Sequence, residues 1–354
     1  MARNCPPLSV VVYEPLEGGH SMKVPAIARQ FGVKATKHKK VRGGIYRIVA
    51  AGGSAYSLKR MPKQIARLKW VDRMLLKVRQ SGSLVAWRDP RKPAGQKPYA
   101  ISPEGKLFVL TPWLSGRHPS PRSLKDMRAC GMALARFHRA GRTGLASNFA
   151  YNEMGNWHSK LRARELYIRN KIAQANRHGL REPLNRMIKQ NGPEIVGYIR
   201  QAKSLFRSSG YHSLRANPRK NGVLSHGDGG PSNFILNGKG THLIDFETLH
   251  VDLRAYDLYR VIYNSCKDHQ WKFSIAKAIL DGYRRVAGLN RSDYKLIRAW
   301  LRFPHSTYLV VTPFKRIPFT ASRLQWALKS ERRIGPFLAK LDQYAKRNSS
   351  NMAG

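Results

Sequence analysis

Residues 224–236 read "LSHGDGGPSNFIL", and residues 242–247 follow with "HLIDFE". The chain has 20 Asp and Glu against 65 Lys and Arg, and five of those acids fall between His226 and Asp257. They are Asp228, Asp245, Glu247, Asp252 and Asp257. The segments "NFIL" and "THLIDF" have the apolar content of short strands, so the region predicts a hairpin that carries carboxylates. Such a local cluster of acids in a basic chain indicates a specific site.

The polar residues of this hairpin suit phosphoryl transfer. Asn233 and Asp245 lie on opposite arms, where their oxygens can face one point, and Mg²⁺ prefers such ligands together with substrate phosphates. Asp228, in the turn before them, is placed to accept a hydroxyl proton. Kinases divide the roles of one Asn and two Asp in this way. Any single Asp could equally satisfy a turn or a cap. The whole spacing, HGD-x4-N and then IDFE, favours the phosphotransferase-type site.

The segment before residue 112 predicts a small antiparallel sheet. Ile45–Ala50 and Ala55–Leu58 are strand-like and are separated by the turn "AGGS". The segment "KQIARLKWVDRMLLKVRQSG" has helical spacing of apolar residues and ends at Gly82. Two more strand-like segments, "KPYAIS" and "KLFVLTPWL", follow around "PEG". This order predicts a small α+β lobe.

Helical patterns dominate the rest of the chain, beginning with "SLKDMRACGMALARFHRAG" and returning after Asp257. The predicted fold class is therefore α+β, two-lobed and protein-kinase-like, with a small antiparallel-sheet N-lobe and a larger, mainly helical C-lobe. We place a loosely ordered leader at 1–22, the N-lobe at 23–112, the C-lobe at 113–345 and a tail at 346–354.

Lys59 is predicted to close the second strand, "AYSLK", where its ammonium would reach nucleotide phosphates as the equivalent strand lysine does in kinases. The alternative is one more surface lysine. In kinases this lysine pairs with a Glu of the next helix, but residues 60–103 contain no Glu. Asp72 projects from the apolar face of that helix, where a charge needs a partner. We therefore expect Asp72 to pair with Lys59.

The order of these segments resembles a known superfamily. Lys59, "VLTPWLSGR", "ALARFHRAG", "SHGDGGPSNFIL" and "LIDFE" followed by "DLYRV" resemble the aminoglycoside phosphotransferase and choline kinase superfamily. Within it, "PWLSGR", "NWHSKLRARE" and "DGYRRV…WLRFPHSTY" are similar to the CotS family of spore-coat kinase-like proteins from endospore-forming bacteria. The resemblance extends over about residues 23–345.

The resemblance implies Mg²⁺ and ATP, or another nucleoside triphosphate, as cofactors. It implies that Asp228 is the catalytic residue and that the metal ligands are Asn233, Asp245 and Glu247, the last as a second-metal or substrate contact. The segment 109–113 would be the interlobe hinge that meets adenine, and "VRGG" would be the phosphate-covering loop. The residues expected to contact the nucleotide are Lys59, Asp72, Gly43, Gly44, Val109, Leu110, Thr111 and Trp113.

The formal net charge of +45 bears on the partners. A polycationic aminoglycoside would be repelled, so we expect a neutral or anionic hydroxyl acceptor. A different hypothesis is a catalytically inactive coat protein that keeps the fold and docks onto anionic spore-coat or cortex material. Nucleic-acid binding is not favoured, because helical amphipathicity explains the interleaved aromatic and basic residues equally well.

Cysteine usage and hydropathy bear on the compartment. Cys5, Cys130 and Cys266 are odd in number and far apart, which argues against a disulfide scaffold. No apolar run approaches the ~20 residues of a membrane span, and the N-terminal apolar segment is too short for a secretory signal. We expect cytoplasmic synthesis, with the spore coat as the location that the resemblance suggests.

Overall fold

The computed structural model describes residues 24–88, 97–145, 149–177, 183–312 and 320–349; the predicted leader, 1–22, lies outside them. The strands are β1 (Ala35–Arg42), β2 (Ile45–Ala50), β3 (Ala55–Met61), β4 (Ala100–Ile101), β5 (Leu107–Pro112), β6 (Gly222–Ser225), β7 (Phe234–Asn237), β8 (Gly240–Leu243) and β9 (His250–Leu253). The helices are α1 (Val24–Arg29), α2 (Ile65–Gln80), α3 (Leu124–Leu145), α4 (Trp157–Arg177), α5 (Pro183–Arg207), α6 (Tyr211–Ala216), α7 (Pro218–Asn221), α8 (Arg254–Cys266), α9 (Phe273–Arg284), α10 (Arg291–Arg302), α11 (His305–Val311) and α12 (Ala321–Ser349).

The chain divides into two compact units that are interleaved along the sequence. Among the described residues, unit 1 comprises 24–88, 97–118, 139–145, 149–151 and 232–249, and unit 2 comprises the remainder. Unit 1 therefore contains the hairpin β7–β8, although the sequence places that hairpin beyond the predicted lobe boundary at 112. Helix α12 also continues into the predicted tail.

Unit 1 contains a five-stranded antiparallel sheet in the order β1-β2-β3-β5-β4. The predicted antiparallel sheet is confirmed, and strand β2 has the predicted bounds. Strand β3 is longer than predicted, so Lys59 lies inside the strand rather than at its end. Its neighbours across the sheet are Ile45 on β2 and Val109 on β5.

The core of unit 1 lies against one face of this sheet. Helix α1 contributes Val24 and Ile27, which share a cluster of buried residues with Ile48, Leu58 and Phe108 from the strands. Helix α2 buries Leu68, Val71, Leu75 and Val78 of the apolar series that the sequence predicted, whereas Ile65, at its first position, is only partly buried.

Backbone bonds hold the hairpin β7–β8 within unit 1. The Leu243 amide donates to the Leu84 carbonyl at 3.0 Å, and the Ala86 amide donates to the Leu243 carbonyl at 2.9 Å. Another pair of bonds joins Leu236 to Arg117 in both directions. The segment that follows β8, with Asp245 and Glu247, is therefore anchored to the segment that follows α2.

Unit 2 is mainly helical, as predicted, and contains the two-stranded antiparallel sheet β6–β9. Helix α8 follows β9 directly and buries most of its residues. Helix α3 continues past the predicted stop at Gly141. Within the described residues, no helix is long and apolar enough to cross a membrane.

Candidate active site

Lys59 and two acids of the "IDFE" motif form one ion-pair cluster in unit 1. The Lys59 ammonium lies 2.6 Å from an Asp245 carboxylate oxygen and 2.7 Å from a Glu247 carboxylate oxygen. All three side chains are largely buried, with exposed fractions of 13%, 24% and 16% respectively. Partial burial strengthens these attractions relative to a pair in open water. Residues 186 positions apart in sequence thus converge on one point.

The Asp245 backbone has an unusual conformation. Its φ of +67° lies in the left-handed region, which few non-glycine residues adopt and which Asp tolerates better than most. The preceding amide, that of Ile244, donates to the Asn233 carbonyl at 3.0 Å. This bond ties the segment of Asp245 to the buried Asn233, which ends a short 3₁₀ turn. Such backbone strain is common where a side chain must be aimed at a ligand.

Asp72 does not pair with Lys59, so that prediction was wrong. The Asp72 carboxylate accepts hydrogen bonds from the Arg88 guanidinium at 2.5 and 2.6 Å and from the Trp87 indole at 2.8 Å. Its predicted burial on the apolar face of α2 is correct, but its partners come from the segment after the helix. With both oxygens engaged in this way, Asp72 is a structural residue of unit 1 and is withdrawn from the nucleotide-contacting set.

The remaining residues of the predicted nucleotide set lie in the five-stranded sheet and its turns. Gly43 and Gly44 form the turn between β1 and β2, and Gly44 has a φ of +72° that favours glycine. Val109, Leu110 and Thr111 lie in β5, opposite β3. Trp113 follows β5, donates its amide to the Ala55 carbonyl and packs beneath the Arg47 guanidinium. Whether these residues contact a nucleotide stays a prediction.

Asp228 lies in unit 2, at the turn after β6. Its carboxylate is about half exposed, and one oxygen accepts a 2.6 Å bond from the Arg260 guanidinium on α8. The following glycine has little room, since a Cβ atom on Gly229 would lie 2.5 Å from a Val261 methyl group. The Asn264 amide bonds to the Gly229 carbonyl at 2.6 Å. Helix α8 thus holds this loop through Arg260, Val261 and Asn264.

A buried carboxylate, Asp257, also orients this loop through hydrogen bonds to its backbone amides. It accepts from the His226 and Gly227 amides at 2.7 and 2.8 Å and from a ring nitrogen of His138 at 2.9 Å. Burial alone would raise the pKa of Asp257, but the His138 hydrogen bond and charge and the loop amide lower it below its usual range. The second His138 ring nitrogen lies 2.8 Å from the Tyr283 hydroxyl.

The sequence predicted no role for Asp257, although this residue belongs to the acid-rich region. The segment that contains His138 entered only as part of the family resemblance. A signal was available, because an Asp at the start of an apolar helix needs a partner once it is buried. Asp252 is also completely buried, and it accepts from the Trp157 indole at 2.9 Å. Two of the five acids therefore stabilise unit 2 rather than contribute oxygens to a ligand.

The donor set fits a small divalent cation through oxygen ligands. Within the described residues, no group of three or more His, Cys, Asp or Glu is arranged to hold a metal ion. The candidate set is instead two carboxylates, Asp245 and Glu247, with Asn233, whose backbone carbonyl accepts from the Ile244 amide. Both carboxylates already approach a single ammonium, so they can approach one cation. Mg²⁺ needs only one or two protein carboxylates when it also binds phosphates.

Comparisons with known proteins agree with this description. Residues 44–298 match the phosphotransferase enzyme family. No curated protein matches the chain. An aminoglycoside phosphotransferase from Alicyclobacillus acidocaldarius has a similar structure, with a TM-score of 0.76 and 19% identity over 93% of this chain and 98% of that chain.

Two further solved structures are similar at lower scores. Spectinomycin phosphotransferase in complex with ADP and spectinomycin has a TM-score of 0.57 and 12% identity over 91% of this chain and 98% of that chain. An ethanolamine kinase from Plasmodium vivax has a TM-score of 0.50 and 13% identity over 86% and 83%. Identities this low show the fold alone. The predicted α+β, kinase-like fold of aminoglycoside phosphotransferase type is confirmed.

Proposed function

Because this chain belongs to the phosphotransferase enzyme family, we propose that it transfers the γ-phosphoryl group of ATP, or of another nucleoside triphosphate, to an acceptor hydroxyl. The observation that carries this proposal is the convergence of Asp245 and Glu247 on Lys59. Strand β3 contributes one ammonium, and the segment after β8 contributes two carboxylates. Together they supply what phosphoryl transfer needs, a cation for the phosphates and carboxylates for a metal.

Unit 1 would bind the nucleotide. Asn233, Asp245 and Glu247 are the proposed Mg²⁺ ligands, and the bound metal would neutralise charge on the phosphates. Lys59 would add positive charge beside them. The turn with Gly43 and Gly44 is the proposed phosphate cover. The backbone of 109–113 is the proposed contact for the base.

Unit 2 would supply the group that handles the acceptor proton. Asp228 is the proposed catalytic residue, and it accepts the proton of the acceptor hydroxyl. That oxygen forms a bond to the γ-phosphorus while the bond between the γ-phosphorus and the β,γ-bridging oxygen breaks. The products are a phosphate ester, ADP and a proton held by Asp228, which returns it to water. The Asp257 carboxylate contributes by fixing the loop amides on which Asp228 is carried.

The proposed biological setting is the bacterial spore coat, on the strength of the likeness of "PWLSGR" and "NWHSKLRARE" to CotS-family proteins. A net charge of +45 would favour contact with anionic coat or cortex material. A second candidate function follows from the same charge: an inactive coat protein that keeps the fold as a docking module. The filled positions of Lys59, Asp228 and Asp245 favour the enzyme.

Turnover distinguishes these two functions. Purified protein would be incubated with Mg²⁺-ATP and a panel of hydroxyl compounds, and ADP formation would be followed. The enzyme predicts ADP formation that depends on both Mg²⁺ and an acceptor, with a phosphate ester detected by ³¹P NMR. Nucleotide binding without any ADP formation across the panel would favour the inactive coat protein instead.

A further inference from the structure

Arg260 links the proposed catalytic Asp228 to a group of aromatic rings in unit 2. Its guanidinium donates to Asp228 and lies beside Tyr256 and Tyr259 of the same helix, α8. Burial alone would lower the pKa of Arg260, but the neighbouring tyrosines and the Asp228 carboxylate raise it above its usual range, so the group stays charged. A guanidinium has five N–H donors, and Asp228 accepts from only one side of it.

A second guanidinium lies at the same group of rings. Arg164, on α4, lies 5.4 Å from the centre of the Tyr308 ring and 6.0 Å from that of the Trp157 ring. No carboxylate pairs with Arg164 within the described parts of the chain. A half-buried arginine that rests on aromatic faces without an acid partner retains its donors for another anion.

A buried histidine, His305, packs against rings that neighbour the two arginines. The His305 ring is 6.3 Å from the Tyr259 ring and 6.4 Å from the Tyr308 ring, and it is only 7% exposed. Its Nδ1 atom has no hydrogen-bond partner among the described residues. The pKa of His305 lies well below its usual range because the ring is buried and because Arg164, Arg260 and Lys267 are positively charged.

The acids near these groups already have other partners, and Asp252 accepts from the Trp157 indole. Asp228 is paired with Arg260. Glu331 is completely buried, burial raises its pKa to about 8, and it accepts from the Ser306 amide. Arg164 and Lys267, by contrast, form no ion pair with a carboxylate in the described parts of the chain, and each lies over an aromatic ring of unit 2.

From this arrangement we propose that the acceptor hydroxyl compound carries an anionic group, a carboxylate or a phosphate, which Arg164 and Arg260 bind while aromatic rings contact its body. The inference rests on the proposed function, which places the acceptor hydroxyl at Asp228. It narrows the acceptor class from neutral or anionic to anionic. A cationic acceptor would meet two guanidiniums and be repelled.

Four pyranoses of similar shape test the acceptor charge: glucose, glucuronate, glucose 1-phosphate and glucosamine. Inorganic phosphate and acetate serve as anions without a sugar scaffold. Binding would be measured by calorimetry at constant ionic strength, without nucleotide or metal, to the parent, to Arg164→Gln and to Arg162→Gln. Arg162 is an exposed arginine of the same helix and provides the matched control.

We expect the anions to bind the parent more tightly than glucose, with glucosamine weakest. Arg164→Gln should weaken anion binding about tenfold or more, as expected for loss of a charge-assisted bond, while Arg162→Gln binds as the parent does. Tighter binding of glucuronate and acetate identifies the charged group as a carboxylate. Tighter binding of glucose 1-phosphate and phosphate identifies it as a phosphate.

Equal affinity for the neutral and anionic sugars, absence of anion binding, or equal anion affinities of the two variants would overturn the inference. Failure of the proposed function looks different, because it appears as absent ADP formation or absent Mg²⁺-ATP binding, whatever the anions do. Once an active acceptor is found, Arg164→Gln should raise its KM and leave kcat largely unchanged, since the contact is remote from the transferred group.

Discussion

Lys59 is the residue on which the nucleotide half of the site depends. It separates two carboxylates that both lie within 2.7 Å of its ammonium. Without it, Asp245 and Glu247 would face each other at short range in a largely buried setting, and like charges there repel strongly. The same ammonium is the proposed partner of nucleotide phosphates, so its loss has two separate consequences.

Lys59→Ala should therefore lower both stability and nucleotide affinity. We expect the free energy of unfolding to fall by about 3 kcal/mol, as for loss of one partner from a buried ion pair. Chemical denaturation and Mg²⁺-ATP titration measure the two effects. Lys39→Ala, on an exposed position of β1, is the control and should change neither. Unchanged nucleotide affinity in Lys59→Ala would remove this lysine from the site.

Asp228→Asn should separate chemistry from binding. The amide keeps an oxygen that can accept from Arg260 but cannot take up a proton, so we expect kcat to fall at least about 100-fold. The affinity for Mg²⁺-ATP should stay close to that of the parent, because Asp228 is not among the proposed metal ligands. ADP formation and equilibrium titration are the measurements, with the exposed Asp268→Asn as control. Retained turnover would exclude Asp228 as the base.

Asp72→Asn tests whether Asp72 stabilises unit 1 through Arg88 rather than contributing to the nucleotide site. The Asp72 side chain is only 8% exposed, and its carboxylate forms an ion pair with Arg88. We expect unfolding free energy to fall by about 3 kcal/mol while nucleotide affinity stays that of the parent. A loss of affinity as large as that in Lys59→Ala would restore Asp72 to the binding site.

Asp72 also shows what a sequence can tell about one residue. Helical spacing placed it correctly on the buried face of α2, and burial of a charge correctly required a partner. The identity of that partner depends on how the chain folds back after the helix. Arg88 is 16 residues away, in a segment with no periodic pattern, so the kinase analogy suggested Lys59 instead.

At the scale of elements, β1 is one of the strands that the sequence analysis did not predict. Its sequence, "ATKHKKVR", has no alternation of apolar and polar residues, and nearly all of its side chains are exposed. It lies at the edge of the sheet, and its pairing with β2 is irregular at two places. Lysines and irregular pairing protect an edge strand from aggregation, and they also hide its strand character from pattern analysis.

Strands β6 and β9 were missed for a different reason. Each is only four residues long, and the two strands pair with each other across a large sequence separation. Long helices and the tight hairpin β7–β8 were predicted because their signals are local. The acid-rich hairpin was recognised for the same reason, and its motif spacing carried most of the candidate site.

Helices α11 and α12 meet at a buried carboxyl group whose protonation should affect stability. Glu331 of α12 accepts from the Ser306 amide of α11 at 2.9 Å. Burial is the largest cause that raises its pKa, to about 8, above its ordinary value near 4.5. A raised pKa means that the folded state binds the proton more tightly. The stability this group contributes is therefore complete below about pH 4.5 and is lost as pH rises towards about 8.

Glu331→Gln should remove this pH dependence, because the amide stays neutral and can still accept from Ser306. Urea unfolding of both proteins between about pH 5 and about pH 9 measures the effect. We expect the variant to gain stability relative to the parent as pH rises. A constant difference across the range would show that Glu331 does not titrate there.

At the scale of the whole molecule, the net charge and the acid-rich region have to be explained together. Three of the five acids pair with cations: Asp245 and Glu247 with Lys59, and Asp228 with Arg260. Asp252 and Asp257 are completely buried and hydrogen-bonded inside unit 2. The cluster thus combines a proposed metal site with structural carboxylates. The surrounding positive field would attract ATP, itself an anion.

The division into units was the least predictable feature of the molecule. Composition and element order predicted a sheet-rich part followed by a helical part, and both are present. The sequence could not show that 139–145, 149–151 and 232–249 belong to unit 1, because that membership rests on contacts between distant segments such as Leu84 and Leu243. Those contacts bring the "IDFE" acids to Lys59 and so create the candidate site.

Metal-dependent nucleotide binding tests the central claim most directly. ATP affinity would be measured by calorimetry with and without Mg²⁺ for the parent, Asp245→Asn and the control Asp268→Asn. We predict that Mg²⁺ tightens ATP binding to the parent and to Asp268→Asn, and that Asp245→Asn loses this increase. If the parent binds no nucleotide at millimolar Mg²⁺-ATP, or if Asp245→Asn keeps the full effect of Mg²⁺, the proposed phosphotransferase site is contradicted.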